Sequence, residues 1–204
     1  MPPEELLVPR FAAEPSQQPA PHGDWEQQLR SEFLTACLAI PEELGDPGDV
    51  VFFPDRTWSG RTYQPATCTT SSELDLFGLV SFRPGYEDDD EHESFLATAD
   101  WTDETAAKNP DWKIDLCDEV VGGWRGNHGE VAAMTAIWGT PMITGAMTAT
   151  AELGGVVVDQ CVLVDNRFTL IAPDAYRGNT LEVALHDSHG AELTRESLYA
   201  DDED

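Results

Sequence analysis

The sequence predicts a mainly β protein with one N-terminal amphipathic helix and an antiparallel meander of strands forming a barrel or a two-sheet sandwich. Three observations carry this expectation. The 3.6-residue apolar period of a helix occurs once, over residues 25–38. From residue 50 onward, apolar residues come in short runs or alternate with polar ones, the period of strands. Beyond residue 130 the runs are separated by tight-turn pairs such as Gly154-Gly155 and Asp165-Asn166, which send successive strands back antiparallel. At 204 residues the chain is long enough for one core without covalent staples.

Residues 1–23, rich in Pro, Gln, Ala and Glu, have no sustained period and are expected to form a flexible leader. They lack the basic start and apolar centre of a signal peptide, so the expected location is the cytoplasm. A single β-rich domain is expected over 24–200, followed by an acidic tail at 201–204. Asp24 opens the helix as a cap, with Gln27 in the capping-box position. Trp25, Leu29, Phe33 and Cys37 recur at four-residue spacing, and Pro41 stops the helix.

Strands are then expected at 48–54, 74–82, 94–101 and 112–117, and after residue 129 at 130–138, 142–153, 156–164, 167–172, 180–187 and 191–199. In 142–153, Ile143, Gly145, Met147, Ala149, Ala151 and Leu153 share one face, while Thr144, Thr148, Thr150 and Glu152 share the other. Two stretches are expected as loops. One is 55–65, carrying Arg56, Trp58, Arg61 and Tyr63. The other is 119–130, where four glycines are mixed with Trp124, Arg125, Asn127 and His128.

Charge narrows the functions. Thirty-nine acidic residues face eleven basic ones for a net −28, and the only lysines are Lys108 and Lys113. Such a surface repels phosphates and anionic lipid, so direct nucleic-acid binding is not expected. No apolar run approaches the length of a membrane helix. A partner protein with a basic surface fits. So does the acidic, lysine-poor composition of a high-salt cytoplasm. The run from Glu87 to Glu93, acidic or histidine throughout, reads as a solvated loop, because it has no turn glycine to fold it round a cation.

Motifs give little. The nucleophile elbow, the phosphate loop and the paired-histidine zinc helix are all missing; His92-Glu93 begins the last, but Leu96 stands where its second histidine belongs. The segment GDVVFFP at 48–54 resembles a strand of cell-wall cysteine peptidases, which place a catalytic Cys before it and a His strand after it. Here Cys37 sits within the helix and neither setting is present, so no peptidase activity follows. The four cysteines are too widely spaced for a zinc framework and read as small buried hydrophobes.

The candidate contact residues are therefore Trp124, Arg125, Asn127 and His128 for ligand or partner, joined by Trp58 and Arg61. His186 and His189 form the one metal-like pair, although Asp187 to Gly190 is also ordinary turn chemistry. No cofactor is expected, save a divalent metal at those histidines or held weakly by the 87–93 run. The expected function is a non-enzymatic binding or accessory protein, engaging a protein partner through its acidic surface or a small molecule inside a β-barrel. The alternative is an enzyme with a dispersed site, such as a metal-assisted hydrolase using His128, His186 or His189.

Overall fold

A computed structural model describes residues 23–83, 95–125, 131–174 and 179–198. It shows one helix, α1 (Gly23–Leu38), and twelve strands: β1 (Val51–Phe52), β2 (Arg56–Trp58), β3 (Arg61–Thr69), β4 (Asp75–Phe82), β5 (Leu96–Thr102), β6 (Ile114–Arg125), β7 (Val131–Pro141), β8 (Thr148–Leu153), β9 (Val156–Val162), β10 (Phe168–Asp174), β11 (Leu181–His186) and β12 (Glu192–Ser197). The mainly β, antiparallel expectation holds. A closed barrel does not form: the strands make three open sheets. The first runs β1-β3-β4-β5 with β2 also on β3, the central one β10-β7-β6, and the third β12-β11-β8-β9.

Three clusters of buried side chains glue these layers in order. Leu29, Phe33 and Cys37, the seam read from the sequence, lie against Ala66, Leu76, Val80 and Phe82 of the first sheet. Trp25 meets Phe82 edge-on, with centroids 4.9 Å apart. Acidic Asp24 and Glu26 in the first turn suit the positive end of the helix. Between the first and central sheets lie Tyr63, Leu79, Met134, Trp138 and Ile171. Between the central and third sheets lie Ile137, Leu153, Phe168, Leu170, Val183 and Leu185. The central sheet is thus covered on both faces, and all seven residues of β10 are buried. That is why AAMTAIW and FTLIA read as nearly continuous apolar runs rather than clean alternations.

The meander is the second correction. Gly154-Gly155 (φ 59° and 76°) does close the β8–β9 hairpin, and Asp165-Asn166 (φ 51° and 58°) makes a tight turn with Val164 bridged to Arg167. Yet β10 then leaves β9 and pairs with β7. The chain also changes sheets between β7 and β8. Residues 142–147, expected as the first half of a strand, are instead irregular, with Gly145 at φ 92°, and β8 begins only at Thr148.

Among the described residues, most of both expected loops proves to be strand. Ser59-Gly60 (φ 54° and 74°) turns a β2–β3 hairpin. Pro65 is tolerated within β3 for a geometric reason. Its carbonyl accepts from Phe53 N at 3.0 Å, so its missing N–H faces the same side, at the break between β1 and β2. Residues 119–125 continue β6, with a bulge between Val120 and Gly122. The leader through residue 22, the 87–93 run, Asn127, His128 and the 201–204 tail lie outside the described residues.

Candidate functional site

Strands β2, β10 and β9, one from each sheet, meet around a cavity of about 450 Å³. Pro54, Asp55 and Arg56 line it from the first sheet's side and Thr169 from the central sheet. Thr148, Gln160, Cys161 and Val162 line it from the third sheet, with Val164 at the following turn. The junction is held by one carboxylate. Asp159 accepts from Arg56 Nη2 through Oδ1 and from the Ile171 amide through Oδ2 at 2.9 Å, tying all three sheets together. It also accepts from the Gln160 amide at 2.8 Å. Burial pushes the Asp159 carboxyl up, while Arg56 and the two amides pull it back.

Two polar atoms of this wall are unmet. Arg56 is 3% exposed and Thr169 1%, and neither Arg56 Nε nor Thr169 Oγ1 has a hydrogen-bond partner. Among the described residues only four buried side-chain atoms lack one, and these two belong to the same cavity wall. Leaving such atoms unpaired is unfavourable by about 1–3 kcal/mol each, so their coincidence marks the wall as something other than ordinary core. Cys161 is not a ready nucleophile, because burial pushes its thiol up to about 11.

A second hollow of about 430 Å³ opens between the first and central sheets. Asp75, Asp100, Glu104, Asp115 and Asp118 line it beside Phe77 and Trp112, and no Lys or Arg does. Burial raises the Asp115 carboxyl, with Asp75 adding repulsion. Burial also raises Asp118, helped by Asp174. Glu119 is raised by burial despite a 2.7 Å bond from the Thr98 hydroxyl, and Asp100 and Asp118 add to the shift.

The sequence candidates fall mainly into structural roles. Trp58 and Trp124, placed on separate expected loops, both pack on the cluster between the first and central sheets. A Cβ on Gly122 would stand 2.7 Å from the Trp58 ring, so this glycine makes room for the indole. Arg61 binds Ser81 through Nε at 2.9 Å and Nη2 at 3.0 Å, joining β3 to β4. Arg125 is exposed at the end of β6. His186 Nε2 lies 3.0 Å from Thr150 Oγ1 on the third sheet. His189 is exposed in a turn that Asp187 organises, its Oδ1 accepting from the His189 and Ala191 amides. Among the described residues, no three His, Cys, Asp or Glu side chains group so as to hold a metal.

Arg56 was read from the sequence as part of a basic-aromatic loop with Trp58, Arg61 and Tyr63, whereas Asp159 and Thr169 were missed. One signal was present: Asp159 interrupts the valine run of β9, where a lone carboxylate asks for a partner. No helix among the described residues is long and apolar enough to cross a membrane. Comparison with family models, with curated proteins and with solved structures found no match for this chain.

Proposed function

We propose that this is a non-enzymatic binding protein that takes a small molecule in the cavity where the three sheets meet. The observation that carries the reading is the pair of buried, unpartnered groups, Arg56 Nε and Thr169 Oγ1, in a wall whose apolar part is Pro54, Cys161, Val162 and Val164. A few polar groups set in an apolar pocket of this volume are what a small-ligand site requires. The expected barrel interior is thereby replaced by an interlayer site.

A second reading has its own observation. The five-carboxylate cleft, lacking any basic lining residue, suits a Lys- or Arg-bearing segment of a partner protein. Native mass spectrometry of the protein purified gently from its own host separates the two. Excess mass released as a small molecule on denaturation supports the cavity. A second, basic polypeptide lost on adding salt supports the cleft. A bare chain at its calculated mass of 22.4 kDa counts against tight binding at either.

A further inference from the structure

Resting on the cavity reading, we infer that the ligand class is an uncharged carbonyl compound with an apolar body, such as a small amide or ketone. Arg56 Nε–H can only donate, so what satisfies it must bring an acceptor. The Thr169 hydroxyl in the same wall can donate as well, and the exposed Gln160 side chain can bond a neighbouring N–H.

Charge then selects among acceptors. The positive charge of Arg56 is already met by Asp159, and Asp55, 8% exposed, stands beside it in the lining. A ligand carboxylate would be a second anion on a guanidinium that Asp159 already answers, in a chain of net −28. An ammonium ligand has no acceptor to offer Arg56 Nε. A neutral carbonyl meets the donor without adding charge. Val162 and Val164, 63% and 52% exposed at the cavity, supply the face for the apolar body.

Seating requires a small rearrangement, because Nε and Oγ1 are sealed behind the wall surface. Thr169 turns to another staggered χ1 well, presenting its hydroxyl to the incoming oxygen. This makes Thr169 the residue to test, with Thr135 as its control: the Thr135 hydroxyl is equally buried and unpartnered but lines neither hollow.

Amide shifts of the ¹⁵N-labelled full chain are followed while titrating three probes of similar size: acetanilide (neutral), phenylacetate (anionic) and phenethylammonium (cationic). Acetanilide should give saturable shifts at Thr148, Gln160, Cys161 and Thr169. The charged probes should need at least about tenfold higher concentration, the equivalent of about 1.4 kcal/mol. Thr169→Val should weaken acetanilide severalfold, whereas Thr135→Val should leave it unchanged. Equal or tighter saturation of the same amides by either charged probe overturns the ligand class while keeping the cavity. Wild-type affinity in Thr169→Val overturns its anchoring role. No saturable shift at these amides with any probe removes the cavity reading and this inference with it.

Discussion

The two hollows have nearly the same volume, about 430 and 450 Å³, and treat their carboxylates in opposite ways. At the junction, Asp159 is buried and answered by one guanidinium and two backbone amides. In the cleft, five carboxylates face one another across a partly open space with no cation in the lining. A net charge of −28 therefore describes the chain poorly. Where acidity is structural it is compensated bond by bond, and where it is not it gathers at one place and repels itself.

Removing the compensation at the junction should have the largest effect. Arg56→Met leaves Asp159 buried beside an apolar side chain, and truncating one partner of a buried pair costs about 3–5 kcal/mol. Urea unfolding should show that loss, since the pair links the first sheet to the third. Arg56→Met/Asp159→Asn should recover roughly half of it, because Asn can still accept from the Ile171 amide without carrying a charge. If the double variant is as unstable as the single one, the packing of the arginine matters more than its charge.

The cleft should respond with smaller effects of opposite sign. Asp115, Asp118 and Glu119 have folded-state values raised above their ordinary ones, so the folded protein binds protons more readily than the unfolded chain. Their penalty is absent below the unfolded values of about 4. It is fully present once the pH has risen through the raised folded values. Thermal unfolding should thus show stability increasing as the pH is lowered from neutrality into the range just above the ordinary carboxylate values. Asp115→Asn should flatten that slope and raise the neutral-pH Tm, as should added salt through screening. A neutral-pH Tm unchanged by both would mean that solvent already screens the cleft.

How much of this was legible in the sequence follows from what each feature depends on. The helix and its seam of Leu29, Phe33 and Cys37 were readable, because periodicity is local. The turns at Gly154-Gly155 and Asp165-Asn166 were readable too, since both central positions need φ > 0 and the residues say so. The β2–β3 hairpin was hidden because Arg56, Trp58, Arg61 and Tyr63 looked like a basic-aromatic loop, and its turn sets Ser59 at φ 54°, which a serine does not announce. The glycines of 119–125 looked like loop, although Gly122 serves a strand by making space for Trp58. The junction site was illegible for a deeper reason: Arg56 and Asp159 lie 103 positions apart, and only the change of sheet after β9 brings β10 between their strands.

The smallest expected effect bears most directly on why the junction holds unmet polarity. Replacing a buried, unpartnered hydroxyl by a methyl of the same shape removes an unsatisfied group without opening a cavity. Thr169→Val and Thr135→Val should therefore each stabilise the fold by about 1 kcal/mol, a rise of roughly 2–4 °C in Tm for a chain of this size. The two variants should match in stability and part in binding, because only Thr169 borders the cavity. A Thr169→Val protein that is stabler but binds less would mean the wall retains a destabilising hydroxyl for its ligand. If instead Thr169→Val lowers Tm while Thr135→Val raises it, the Thr169 hydroxyl already finds a partner in solution. The contrast with the cleft would then narrow to charge alone.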